Sequence, residues 1–416
     1  MSLRCVRCGK TRGIDSGYVC ECGGLLEVVH EFPRVDREVF DERLREWGPP
    51  WGSGVWRYKE LVHPQIRVGH IVSRPEGNTN LYHRPQVSAY TGISQTFMKH
   101  EGENPTGSFK DRGMTVAVSQ AKESNAKTVV CASTGNTSAS VAAYAAQAGI
   151  PCVVFIPEGL VAYGKLAQAL AYGARVLQVR GNFDQAMQLV REGAQELGYY
   201  ILNSLNPWRL EGQKTIVFEL IHQMGWEPPD WIVVPGGNLG NTAAFGKALR
   251  ELRQLGLIDK TPRIATVQAE GANPFYRLFH EGHTLQPITP KTIASAINIG
   301  NPVNWEKALK SIKETGGVVE QVSDREILEA KAVIDSSGVG CEPASAASVA
   351  GARKLLERGV IEKDDEVVCI LTGNLLKDPT TTIDFHMGKL YPSERQNKPT
   401  PIEASLEDLR RLLAGA

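Results

Sequence analysis

The chain has no excess of either charge: 46 Lys and Arg stand against 46 Asp and Glu in 416 residues. Such a balance offers no pull toward nucleic acid or an acidic membrane face. It also has no apolar run near the roughly 20 residues that a membrane-spanning helix requires. The start, Met1-Ser2-Leu3-Arg4-Cys5, carries no apolar signal region. Internal repeats, low-complexity tracts and a visible linker are missing too. No Gly-x-Gly-x-x-Gly triad followed by an acidic residue opens an early strand-helix unit, which argues against a dinucleotide enzyme. These absences predict a soluble cytoplasmic protein, with no nucleic-acid or membrane partner and enough chain for two domains.

What is present is a set of polar loops at the ends of apolar strands. Asn104-Pro105-Thr106-Gly107-Ser108-Phe109-Lys110-Asp111-Arg112 delivers one lysine at the start of a helical run. A lysine buried there would lose its proton more readily and could carry a Schiff base. The competing expectation is a solvated helix start. Farther on, the apolar run 128–132 leads into Ser133-Thr134-Gly135-Asn136-Thr137-Ser138 and a small-residue helix over 139–148. Backbone amides at such a helix start suit a carboxylate or phosphate, although an ordinary N-cap reads the same way. A second unit, 231–235, runs into Gly236-Gly237-Asn238-Leu239-Gly240-Asn241-Thr242, with a helix beginning near Ala243. Its glycines let amides approach a phosphate, yet the spacing fits neither the P-loop nor the dinucleotide fingerprint. A third strand, 367–371, ends in Thr372-Gly373-Asn374. One lysine, two anion loops and a hydroxyl at strand ends together suit pyridoxal 5'-phosphate.

From about Cys5 to about Asp378 the chain resembles the threonine synthases, which belong to the fold type II pyridoxal-phosphate enzymes. The resemblance implies that Lys110 carries the cofactor's Schiff base and that Asn136 bonds its phenolic oxygen. It further implies that Gly237, Asn238, Leu239, Gly240 and Asn241 cradle the phosphate and that Thr372 faces the pyridine nitrogen. Asn203-Ser204-Leu205-Asn206-Pro207-Trp208-Arg209 resembles the segment with which that family grips the phosphate of O-phospho-L-homoserine. Asn203, Ser204 and Arg209 are therefore assigned to the substrate phosphate, with Ser133 and Thr134 nearby; an arginine is suited to a bidentate grip. The implied reaction is γ-elimination of phosphate followed by β-addition of water, giving L-threonine. Asn80 and Asn298 depart from the family pattern, which usually has proline and often arginine there. A cysteate synthase acting on O-phosphoserine is the alternative, followed by a threonine dehydratase and, least favoured, a non-enzymatic paralogue.

Strands are expected at 152–156, 175–179, 199–203, 231–235 and 264–269, all buried, with helices at 183–197 and 209–224. The fold implied is α/β: two three-layer domains with mostly parallel sheets and the cofactor between them. The smaller domain would be 101–205, the larger 28–100 with 206–395, and a tail 396–416 with a short helix would carry no chemistry. A homodimer is what the fold type implies. Cys5-x-x-Cys8 and Cys20-x-Cys22, followed by Gly23-Gly24, predict a zinc-ribbon-like segment over 1–27 with a structural zinc; Cys131, Cys152, Cys341 and Cys369 read as core residues.

Overall fold

The computed structural model describes residues 1–158, 163–181, 183–282 and 284–413, and the side chains of 163–165, 183 and 184 fall outside that description. The last three residues of the expected tail, 414–416, also lie outside it.

Alternation of apolar strands with helices produces two mainly parallel sheets, because each crossover must return the chain to the same edge through a helix. The six-stranded sheet runs in the order Val318–Val322, Arg263–Ala269, Trp231–Pro235, Glu366–Leu371, Gln95–His100, Leu81–His83. Its pairings are parallel except the last, where the short edge strand lies antiparallel. The four-stranded sheet has the order Arg175–Val179, Cys152–Pro157, Val129–Ala132, Tyr200–Ile201 and is parallel throughout. The central strands Trp231–Pro235 and Val129–Ala132 are buried at every residue, as strands covered by helices on both faces must be.

Three local expectations need correction. Strand Arg175–Val179 exposes Arg175 and Gln178 instead of being buried, because it is the outer strand of its sheet. The strand expected at 199–203 pairs only over Tyr200–Ile201; beyond it the Asn203 side chain takes over the ladder, bonding the Ala132 carbonyl at 2.9 Å and amide at 3.0 Å. The helix expected at 209–224 begins at Pro207, where the Asn206 side chain accepts from the Trp208 N–H. It runs as Pro207–Gln213 and Thr215–Gln223, with Lys214 between them still in helical conformation.

Strands Ser2–Cys5, Thr11–Arg12 and Leu26–Val29 form a separate antiparallel sheet around the four early cysteines. It docks on the larger body through buried lysines that donate to its backbone: Lys247 to the Val28 carbonyl (2.6 Å) and Lys307 to that of Leu26 (2.7 Å). Cys131, Cys341 and Cys369 are buried and Cys152 is half-buried, all with their thiols free. Among the described residues no helix is long and apolar enough to cross a membrane.

Candidate active site

The loops after Val129–Ala132, Trp231–Pro235 and Glu366–Leu371 all leave the carboxyl ends of parallel strands, where ligands bind in open α/β sheets. Lys110 is the first residue of the helix Lys110–Glu123. The turn before it is clipped to the third loop: Phe109 N–H donates to the Thr372 carbonyl (3.0 Å), and Asn374 N–H to that of Gly107 (2.9 Å). Gly107 has φ +85°, a conformation that favours glycine, and a side chain there would strike Lys377.

Asp111 and Arg112 settle whether this is a solvated helix start: both are wholly buried. Asp111 accepts from the Thr106 amide and hydroxyl, each at 2.6 Å, and from Ser140 at 2.5 Å. Burial nevertheless pushes its carboxyl up to about 6. Arg112 is gripped by Glu101 (2.6 Å) and Glu219 (2.8 Å), and Glu219 also takes Lys99 at 2.6 Å. Five buried charges thus pin the first turn of the helix that Lys110 opens. Losing a partner from such a network costs about 3–5 kcal/mol.

Among the described residues the Lys110 ammonium itself has no such partner. Desolvation, with the nearby Arg209 guanidinium, brings its pKa down to about 7, against the opposing pull of Glu342. Its Nζ lies 3.8 Å from the centroid of the Phe109 ring. At neutral pH about half of such lysines carry a free lone pair, against about one in three thousand at the ordinary value.

Arg209 reaches the same cleft because its helix touches that of Lys110 backbone to backbone. A Cβ on Gly113 would lie 2.9 Å from the Arg209 carbonyl, and one on Gly212 would lie 1.7 Å from that of Arg112. The Arg209 guanidinium is 1% exposed, donates to the Leu202 carbonyl at 3.2 Å, and leaves Nε with no partner among the described residues. Burial lowers its pKa to about 10. The half-buried Ser204 lies five residues before it, its carbonyl bonded by Asn304 at 3.3 Å. Asn203 spends its amide on Ala132, so only one of its N–H groups is left for a ligand. Ser133 and Thr134 are half-buried, the Ser133 hydroxyl accepting from Gly135 N–H at 3.3 Å.

The glycine loop ends in Leu239, held at φ +62°, and its helix begins at Gly240, three residues before the expected start. A left-handed leucine is strained, and such strain collects at ligand loops. A Cβ on Gly237 would press on Ala296 and Ile297 at 3.2 Å. Asn238 is tied down by Asn304 N–H to its carbonyl (3.2 Å) and by Val303 N–H to its side chain (3.3 Å). Around the loop, buried polar atoms lack partners among the described residues: Asn241 Oδ1, Gln213 Oε1 and Asn304 Oδ1, with Ser108 Oγ nearer Lys110. Amide groups can turn to present N–H instead of oxygen. A loop with three glycines, ringed by three amides whose oxygens have no partner among the described residues, suits a phosphate, so the residues fit the cofactor that the loops suggest.

The sequence reading missed Glu342. It is buried, accepts from Asn136 Nδ2 at 3.0 Å and Thr372 Oγ1 at 3.2 Å, and thereby joins two residues assigned from opposite sheets. Burial raises its pKa, against the Asn136 hydrogen bond and Lys110. Ser345 completes the contact, 3.0 Å from the Thr372 hydroxyl. The only local signal was an acidic residue before Pro343 at the head of a small-residue helix, which reads as a cap. Asn80 bonds Glu103 at the surface, while Asn298 holds a buried Oδ1 with no partner among the described residues.

The four early cysteines converge. Their sulfurs all lie within 4.8 Å of one another, with Cys5 and Cys22 3.5 Å apart and Cys8 and Cys20 3.7 Å apart. A tetrahedron with metal-sulfur bonds of about 2.3 Å has edges of about 3.8 Å. The tight Cys20-x-Cys22 spacing works because a Cβ on Gly24 would lie only 2.7 Å from Cys5 Sγ.

Comparison with known proteins agrees with this geometry. The family described as "Pyridoxal-phosphate dependent enzyme" matches residues 72–373. The threonine synthase of Methanocaldococcus jannaschii is 48% identical over 417 residues, covering 99% of both chains. The chain belongs to the threonine synthase family. The threonine synthase of Methanosarcina acetivorans is 47% identical over 418 residues, 99% of this chain and 98% of that one. The solved threonine synthase of Escherichia coli superposes with a TM-score of 0.71 over the full length of both chains at 19% identity, a likeness of fold. The fold is thus type II of the pyridoxal-phosphate enzymes, and the protein is a pyridoxal-phosphate dependent lyase.

Proposed function

We propose that the protein converts O-phospho-L-homoserine and water to L-threonine and phosphate. The observation that carries the substrate is Arg209, a buried guanidinium with an unspent Nε beside Lys110. A phosphate would supply the charge partner that no carboxylate among the described residues supplies, and a phosphorylated amino acid places that group next to the reacting carbons.

Lys110, Asn136, Gly237, Asn238, Leu239, Gly240, Asn241 and Thr372 would hold pyridoxal phosphate. When bound, that cofactor supplies an electron sink for charge developing at the substrate's Cα. Lys110, with its lowered pKa, accepts the Cα proton and moves protons at Cβ. Arg209 and Ser204, with Ser133 and Thr134, bind the leaving phosphate on Cγ, and Asn203 fixes the strand end that presents them. Glu342 keeps Asn136 and Thr372 in register. Thr372 offers a hydroxyl where a carboxylate would hold a pyridinium, so the sink is moderated. We infer further that Cys5, Cys8, Cys20 and Cys22 hold one structural zinc, four thiolates leaving no open position for catalysis. A homodimer in the cytoplasm follows from the resemblance.

Purified protein is incubated with pyridoxal phosphate and O-phospho-L-homoserine, with O-phosphoserine, threonine and serine in parallel, while threonine and phosphate are measured together. Matched release from phosphohomoserine alone supports the proposal. Turnover of O-phosphoserine alone, or keto-acid from threonine, refutes it.

A further inference from the structure

A second basic cavity lies away from Lys110, where the cysteine-bearing sheet meets the larger body. It encloses about 370 Å³ between that sheet (Arg4, Glu27) and three helices: Pro207–Gln213, Gly240–Gln254 and Trp305–Glu314. Its cations are Arg4, Lys247, Arg250, Lys307 and Lys310; its carboxylates are Glu27, Glu211 and Glu306, and Cys5 also borders it.

The carboxylates are already committed. Glu211 takes His30, Lys214 and Lys247, and Glu306 takes Arg7 at 3.0 Å. That leaves Glu27, paired with Arg4 at 3.0 Å, as the anion facing Lys247, Lys307 and Lys310. Burial would raise the Glu27 carboxyl, but Lys247, the Arg4 hydrogen bond, Lys307 and Lys310 together hold it below the usual range. Lys307 is 7% exposed, and among the described residues its ammonium has one acceptor, the Leu26 carbonyl, and no ion-pair partner. Two of its three N–H bonds are unspent, and a buried ammonium without a carboxylate is costly. On the rim, Lys310 pairs among the described residues with Glu314, at 3.9 Å, a carboxylate that Arg250 also takes.

We propose that this cavity is a binding site for a small dianionic oxyanion, a dicarboxylate or a phosphate monoester, held by Lys307 and Lys310. Lys247 also takes Glu251 and Arg250 takes Glu314, so the ammoniums left to meet such a ligand are Lys307, which is unpaired among the described residues, and Lys310; the volume suits a molecule of amino-acid size. The occupant would press on the helix that carries Arg209 and on the one that follows the glycine loop, yet it touches no residue assigned to cofactor or substrate.

The cofactor-loaded full-length protein is crystallised and soaked in selenate, whose anomalous signal locates each bound ion. A peak about 3 Å from Lys307 Nζ is expected, and it should vanish in Lys307→Met while any peak beside Arg209 persists. Selenate beside Arg209 alone, or nowhere, overturns the proposal without touching the proposed reaction. In solution, malonate and methyl phosphate are titrated separately by calorimetry to distinguish the two sources. At least one should bind, about tenfold more weakly in Lys307→Met and about threefold more weakly in the exposed-rim variant Lys310→Ala. Equal affinity in all three proteins, or no binding of either compound, overturns the site.

Discussion

Arg112 and Arg209 lie on two helices in backbone contact, and both are almost wholly buried. Their surroundings differ completely. Arg112 meets Glu101, Glu219 and the Thr79 hydroxyl, and these carboxylates raise its pKa despite the burial that would lower it. Among the described residues Arg209 meets one carbonyl, and burial lowers its pKa to about 10. The first region is finished by the protein; the second is left open among the described residues. A saturated buried charge speaks of architecture, and an unsaturated one of binding.

The sharpest test of this contrast is Arg112→Met. It leaves Glu101 without its charge partner and Glu219 with only Lys99, so stability should fall by about 3–5 kcal/mol. Denaturant unfolding measures this, and a loss under about 1 kcal/mol would break the comparison. Arg209→Met, by contrast, should keep or raise the melting temperature, since it replaces an unpaired buried cation by an apolar chain. It should cut kcat/KM for O-phospho-L-homoserine by about 100-fold, or about 2.7 kcal/mol, while the cofactor's visible band stays intact. Loss of that band would mean Arg209 supports the cofactor instead.

A smaller effect concerns Lys110. Protonation blocks its lone pair, and a pKa brought down to about 7 moves the block to lower pH. The rate of cofactor capture by the cofactor-free protein should therefore rise about tenfold per pH unit up to about 7 and then level off. Continued growth toward pH 10 would contradict the desolvated lysine. The smallest effect is expected far from the cleft: Cys20→Ser should release a bound zinc, seen by metal analysis, and lower the melting temperature, with kcat changed less than about threefold because the cysteines touch no reacting group.

Much of this was legible in the chain. Lys110, the two anion loops and Thr372 stood out because glycines and hydroxyls at strand ends are a local pattern, and the central strands because runs such as Val233-Val234 must be buried. The edge position of Arg175–Val179 was not legible, since outer and inner strands differ in their neighbours more than in their composition. Glu342 was invisible for a related reason: an acid before proline is an ordinary cap until Asn136, 206 residues away in sequence, is seen donating to it.

The sequence by itself determined the parts: the lysine, the phosphate-suited loops, the four cysteines and the alternation that makes the sheets parallel. Tertiary structure alone decided which charges are spent. Gly113 and Gly212 bring two helices together so that Arg112 finds carboxylates and Arg209 does not, and hydrogen bonds spanning tens or hundreds of residues decide which polar groups remain open. Residue type fixes what a side chain can do, whereas its solvation and partners, which set its pKa and its readiness to bind, exist only once distant segments are packed against it.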